Sequence, residues 1–273
     1  MVAAIITLFA MGLAFGGLLA VAARKFAVEV DPRVEAVQAA LPGANCGACG
    51  YAGCSDFAEA AVRGQARPDG CPAGGPELAL RLAAILGKPV EAREREVAQV
   101  LCAGGRHEAP DRAVYSGIRD CGAAGLIAGG PKGCTYGCLG MGTCVRACRF
   151  DAMRMNGNGL PEVFEDRCTG CTACVKACPR AIIVMAPVSR RVHIRCKSRD
   201  RGAVVRKLCT VGCIACRLCV KECPREAIAF ADNLARIDYA RCDDCQACVK
   251  VCPMHTIEAL PEPAQSPAQS RGA

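Results

Sequence analysis

The sequence predicts an α+β protein: a single N-terminal transmembrane helix, a small α-helical module, and two tandem modules of short helices and hairpins. Three observations carry that expectation. The 273 residues include 24 Cys but no Trp, 7 Phe and 4 Tyr, so large apolar side chains are too few for one extended core and bonds to cysteine must staple the modules. A four-cysteine motif recurs four times between residues 134 and 252. Residues 2–23, VAAIITLFAMGLAFGGLLAVAA, carry no charge over 22 positions, enough to cross a bilayer as a helix.

The apolar stretch reads as an anchor (residues 1–25). A cleaved signal peptide is the competing reading, with AVA at residues 20–22 as its cleavage site, but the basic segment that precedes a signal's apolar core is missing. Arg24 and Lys25 follow the stretch instead. By the positive-inside rule they place the N-terminus outside and the rest of the chain on the cytoplasmic side of the inner membrane, as a single-pass protein. A cytoplasmic compartment is reducing, which favours metal centres over disulfides. Gly12 and Gly16 have the spacing of a helix-packing pair, a spacing equally common in any apolar helix.

Residues 26–98 read as an N-terminal cysteine module with its linker. The cysteines run Cys46-x2-Cys49-x4-Cys54-x16-Cys71, and the glycines among the first three let the backbone curl around a bulky ligand. CSDFAEAAVRG reads as a helix leading away from the site, and Leu78, Leu82, Ile85 and Leu86 mark one face of another. The charged run EAREREVA (residues 91–98) reads as a solvated linker. Residues 99–133 form a Gly-rich connecting segment with Cys102 and Cys121; its GGPKGC lacks the spacing and hydroxyl of a phosphate-binding loop.

The repeats begin at Cys134-x3-Cys138-x5-Cys144-x3-Cys148. Three regular copies follow, each Cys-x2-Cys-x2-Cys-x3-Cys-Pro: from Cys168, Cys171 and Cys174 to Cys178; from Cys213, Cys216 and Cys219 to Cys223; and from Cys242, Cys245 and Cys248 to Cys252. The last cysteines of successive copies lie 30, 45 and 29 residues apart, so the copies pair into units at 134–190 and 209–260, joined by a connection at 191–208. AMRMNGNGLPEVF and AIAFADNLARIDY between paired motifs read as short hairpins. Residues 261–273 are Pro/Ser-rich and read as a disordered tail.

This run ligates iron–sulfur clusters in bacterial-type ferredoxins: three close cysteines wrap one cluster and the fourth reaches the partner motif's cluster. A zinc site needs only two Cys pairs, and four copies far exceed it. The fold class thus becomes a transmembrane helix, a small α-helical [4Fe–4S] domain and two tandem 2×[4Fe–4S] ferredoxin domains. Cross-ligation groups the cysteines into five sites: Cys46, Cys49, Cys54 and Cys71; Cys134, Cys138, Cys144 and Cys178; Cys168, Cys171, Cys174 and Cys148; Cys213, Cys216, Cys219 and Cys252; Cys242, Cys245, Cys248 and Cys223. The first motif departs from the pattern in its x3 and x5 spacers and in Arg149, where proline is expected. The formal charge of +8 counts cysteines as neutral; each bound cluster adds about −2, so five bring it to about −2 and six to about −4. The basic residues are counter-charge to clusters, which leaves little case for nucleic acid.

The anchor, NCGACGYAGC, AGGPKGCTYGCLGMGTCVRAC and the tandem motifs together resemble the RnfB family of Rnf complexes, in its long form, over residues 1 to about 260. The resemblance implies a subunit of a membrane-bound, ion-translocating ferredoxin:NAD oxidoreductase. Soluble ferredoxin would be the electron donor and other membrane subunits the partners. No G-x-G-x-x-G follows a strand and nothing resembles a flavin site, so hydride chemistry is expected in other subunits and no catalytic residue is expected here. Two other readings fit the motifs: a polyferredoxin arm of another dehydrogenase or hydrogenase, and a reducing system for an iron–sulfur redox sensor.

Five sites use twenty cysteines and leave Cys102, Cys121, Cys196 and Cys209. They are either inert buried thiols or the ligands of a sixth [4Fe–4S] cluster, and Cys134 or Cys209 could instead replace an assigned ligand. His107, His193 and His255 are isolated and read as surface or turn residues.

Overall fold

The structure is a computed structural model that describes residues 2–25, 31–90 and 94–261; the expected tail from 262 on, and the start of the charged run at 91–93, lie outside the described residues. In chain order the elements are α1 (Val2–Lys25), α2 (Pro32–Ala40), α3 (Cys54–Val62), α4 (Gly75–Leu86), β1 (Glu96–Val100), α5 (Cys121–Leu126), α6 (Thr143–Arg146), β2 (Met153–Met155), β3 (Pro161–Val163), α7 (Ala173–Ala177), β4 (Ile183–Pro187), β5 (Val192–Ile194), α8 (Gly202–Leu208), α9 (Leu218–Lys221), β6 (Ile228–Ala231), β7 (Leu234–Ile237), α10 (Ala247–Lys250) and β8 (Ile257–Ala259).

Helix α1 contains a window, Ile5–Ala22, long and apolar enough to cross a membrane, and none of that window is buried against the protein. A span with no charge and an apolar surface on every side needs lipid or partner helices around it. The N-terminal module is α2, α3 and α4 around Val37, Phe57 and Leu82, all fully buried. Asp31 caps α2 by accepting from the Arg33 N–H at 2.9 Å, with proline at the first helical position. Gly87, at φ 62°, ends α4 in the left-handed conformation.

Two ferredoxin-like units follow, each with a small core of its own. The expected hairpins form: Met153 pairs with Val163 in β2–β3, and Ile228 with Ile237 in β6–β7. Each unit also has a second two-stranded ladder that joins distant segments. Strand β1 pairs with β4 in the first unit, Val97 opposite Ala186 and Val100 opposite Ile183; β5 pairs with β8 in the second, Val192 opposite Ala259. Two expectations are corrected here. The run at 91–98 is not a linker throughout, because Val97 to Val100 are buried in a strand that crosses the expected boundary at residue 98. The connection at 191–208 likewise includes β5, a strand of the second unit. Neither strand has a local signal, since its partner lies tens of residues away and long-range pairing decides its state.

Backbone bonds such as Thr210 N–H to Glu108 at 2.9 Å and an ion pair at Glu165 join the units. Glu165 of the first accepts from Arg191 Nη1 at 2.8 Å and from Gln99 Nε2 at 3.2 Å, while its backbone carbonyl accepts from Arg95. Asp244 of the second accepts from the Arg191 and Val192 N–H groups at 3.0 and 2.9 Å.

His193, on β5, is fully buried rather than at the surface; His107 and His255 are exposed. Its Nδ1 shares a hydrogen bond of 2.8 Å with the Tyr239 hydroxyl. Burial, and then the charges of Arg195 and Arg191, push its pKa down to about 4. The unfolded chain takes up this proton near pH 6.5, well before the folded chain does. His193 therefore contributes stability that is present above that pH and lost as pH falls toward 4. In anaerobic thermal melts from about pH 7.5 to about pH 5, the stability advantage of wild type over His193→Gln should shrink steadily. A constant difference would show that His193 does not titrate this way.

Candidate metal centres

The three close cysteines of each motif converge because the residue that opens the following short helix is left-handed: Gly142 at φ 73°, Thr172 at 61°, Arg217 at 61° and Gln246 at 61°. For a non-glycine residue that conformation costs roughly 1–2 kcal/mol. It turns the chain so that the third cysteine, Cys144, Cys174, Cys219 or Cys248, enters the unit's core in the first helical turn.

None of the 24 cysteines is in a disulfide, and they gather in fours. Cys148, Cys168, Cys171 and Cys174 line one hollow of about 330 Å³. Cys213, Cys216, Cys219 and Cys252 line another of about 400 Å³. Cys242, Cys223 and Cys245 surround Cys248, whose thiol is pushed up to about 11 by burial and by their charges. Cys71 feels burial first and then Cys49 and Cys46, with Cys54 packed in the same cluster.

The first motif departs from the expected grouping. The hollow of about 360 Å³ that holds Cys138, Cys144 and Cys178 is lined by Cys121, not Cys134. Burial raises Cys144 to about 11, with Cys121 and Cys178 as its nearest like charges. Cys134 lies instead with Cys102, Cys196 and Cys209 in a hollow of about 380 Å³. So Cys121 and Cys134 exchange places relative to the grouping expected from spacing. The cause is α5. Asp120 caps it, accepting from Gly122 and Ala123 N–H at 2.8 and 3.0 Å, and also accepts the Thr143 hydroxyl at 2.8 Å. The Cys121 N–H donates to Thr143 Oγ1 at 2.7 Å. This network pins Cys121 to the start of α6, one residue from Cys144. The irregular x3 and x5 spacers were the sequence signal, since a chain that receives one ligand from outside its motif need not keep the motif's spacing. Arg149, which stands where proline is expected, ties the motif to the N-terminal module: its guanidinium donates to the Asn45 carbonyl at 3.3 Å.

The donor sets fit [4Fe–4S] clusters. Four sulfurs surround each hollow, and backbone N–H groups point at individual sulfurs, from Ala98 to Cys168 at 3.4 Å, Ala152 to Cys148 at 3.4 Å and Ala227 to Cys223 at 3.3 Å. Such bonds raise the potential of a thiolate-bound cluster by offsetting negative charge.

Comparison with known proteins agrees. Residues 41–73 match a family described as a putative Fe-S cluster, and residues 135–185 and 212–256 each match a 4Fe-4S dicluster domain. The chain is 46% identical, over 94% of its length and 77% of the relative's, to the B component of the Na(+)-translocating ferredoxin:NAD(+) oxidoreductase complex of Acetobacterium woodii. The chain belongs to the RnfB family. The corresponding component of a Methanosarcina acetivorans ion-translocating oxidoreductase complex is 43% identical over 87% of this chain and 90% of its own. That of the proton-translocating ferredoxin:NAD(+) oxidoreductase complex of Clostridium ljungdahlii is 43% identical over 85% and 82%. As an RnfB protein, the chain is a [4Fe–4S] electron-transfer subunit of a multi-subunit redox complex.

Cys121→Ala in this RnfB protein should remove one cluster, about four irons and four sulfides per chain by chemical analysis, because the ligand comes from α5. An unchanged iron content would return the site to Cys134.

Proposed function

We propose that this chain takes electrons one at a time from a reduced soluble ferredoxin on the cytoplasmic side and delivers them to membrane subunits of an Rnf-type ferredoxin:NAD oxidoreductase. The observation that carries the reading is the succession of four-cysteine hollows: sulfurs of neighbouring sites lie near enough that Cys144 of one adds to the raised pKa of Cys174 in the next, after burial, Cys168 and Cys171. Cys248 acts likewise on Cys219, after burial, Cys213 and Cys216. The ferredoxin donor is suggested by the names of the Acetobacterium and Clostridium relatives.

The chain's part is to hold, space and insulate the clusters, five of them in the N-terminal module and the two units. Each bound cluster supplies a one-electron couple with no bond made or broken. Cysteines supply the ligands, buried helix starts exclude water from them, and N–H groups set their charge balance. Hydride transfer and ion movement belong to other subunits, since one helix with no ionisable residue across its Ile5–Ala22 span offers no relay for an ion. Arg24 and Lys25 at the end of α1 support a cytoplasmic location for the cysteine modules.

The test uses the full chain in detergent and the complex from native membranes. Reduced ferredoxin should bleach the chain's visible absorbance, NADH alone should not, and affinity purification should recover flavin-bearing partners. Bleaching with a hydrogenase or with an iron–sulfur sensor as the recovered partner would replace this reading with one of those assemblies.

A further inference from the structure

We propose that the loop at 111–131 is the docking surface for the chain's electron donor, a small acidic one-electron carrier seated over the site of Cys121, Cys138, Cys144 and Cys178. The inference rests on the reading that a soluble ferredoxin reduces the chain, and it gives that encounter a place on the molecule.

The first observation is exposure. Val114, Ile118, Leu126 and Ile127 are 97, 76, 88 and 61% exposed. Among the described residues no other large apolar side chain outside α1 exceeds 52%. Aliphatic side chains gathered in water on one segment mark an interaction surface.

The loop is built rather than loose. Its ends are joined by the Asp111–Lys132 bridge and by the Arg112 N–H, which donates to the Pro131 carbonyl at 2.7 Å. Cys121 and Ala124 are buried on its inner side with Leu139, and Tyr115 and Met141 pack against them. Gly130, at φ 88°, lets the backbone press onto that core, because a Cβ there would stand 2.6 Å from Leu139 Cδ2. With the inner side filled in this way, the four aliphatic residues face outward. Helix α5 connects the two sides: Leu126 ends the helix that Cys121 begins, about 7.5 Å away along its axis. An occupant seated on Leu126 is thereby brought near a cluster ligand.

Charge says what the occupant is. The loop and the side chains fastened to it carry Arg112, Arg119, Arg146 and Arg180 against Asp111 and Asp120. Arg112 donates to the Ala128 carbonyl, Arg180 to that of Gly129 and Arg146 to that of Arg119. Three guanidiniums are thus held at the rim by the loop's own backbone. Asp120 is committed to the cap of α5 and to the Thr143 hydroxyl. An apolar centre with a net positive rim suits a partner of opposite sign, and each cluster in a ferredoxin adds about −2 to its charge. The scale also fits, since electron-transfer partners meet through small, short-lived contacts. The second unit exposes two cluster ligands, Cys216 and Cys245, but lacks these features. The arginines beside its last motif are paired, Arg225 with Asp243 and Arg241 with Glu226. One electron leaves the donor and enters the chain's site, with no proton or bond in the balance.

The test uses the full chain in detergent, with no bilayer or partner subunit present. The chain has no Trp, so Leu126→Trp supplies a single reporter. An oxidised, Trp-free acidic ferredoxin, which transfers no electron, should shield that reporter from acrylamide at low salt and release it at high salt. In stopped-flow reduction, Ile118→Ser combined with Leu126→Ser should lower the second-order rate with reduced ferredoxin about tenfold, the loss of one apolar anchor. Arg119→Gln should lower it less and flatten its dependence on ionic strength. Reduced methyl viologen, a small cation that needs no docking surface, should reduce wild type and variants alike. An unshielded reporter, together with ferredoxin rates unchanged in both variants, overturns the proposal and leaves the proposed function standing. So does a viologen rate that falls in parallel, which would make the effect structural. A wild type that viologen reduces and ferredoxin does not overturns the proposed function, and this docking site with it.

Discussion

The structure depends on bringing thiolate-forming cysteines together in places from which water is excluded. Burial raises Cys138, Cys174 and Cys219 to about 12 each, so as bare thiolates they are unstable neighbours. Bound iron reverses the sign of that interaction, because coordination replaces repulsion with shared positive charge. Each module's small apolar core is therefore one half of a structure whose other half is inorganic. Cores of this size rarely hold small modules alone.

That constraint explains the strained backbone. Thr172, Arg217 and Gln246 are left-handed without being glycine, each immediately before the short helix that carries the third cysteine. The cost recurs in every unit because the same turn delivers the same sulfur, and ligation holds it in place. Larger-scale features follow from the same need. Strands β1 and β5 each close a unit with a distant partner, and the Glu165–Arg191 ion pair is one of several contacts between the two units. Carriers at fixed separations serve electron transfer better than carriers on loosely tethered beads.

Residues between the motifs are as much part of the sites as the motifs. The 99–133 segment has no regular pattern, yet it supplies Cys102 and Cys121, the cap at Asp120 and the buried Lys132. The Asp120–Thr143 contact places α5 beside α6, and Arg180 donates to the carbonyls of Gly129 and Thr135 to fasten the loop that follows. A segment that looks like a connection acts as a clamp across the first unit.

The sequence by itself determined the apolar N-terminal helix, the three cysteine modules, the two hairpins and the iron–sulfur chemistry, because these rest on local spacing: an uncharged run, Cys-x2-Cys-x2-Cys-x3-Cys-Pro, and turn residues between alternating strands. Only the tertiary structure shows which cysteines line which hollow in the first unit. Cys121 and Cys134 lie 13 residues apart, and Cys134 has the sequence spacing of the motif's first cysteine while Cys121 stands 17 residues before Cys138. Their assignment follows from a helix cap and a hydroxyl, Asp120 and Thr143, which meet only after folding. The same holds for β1 and β5, whose strand character comes from partners elsewhere in the chain, and for His193, whose burial no local pattern marks.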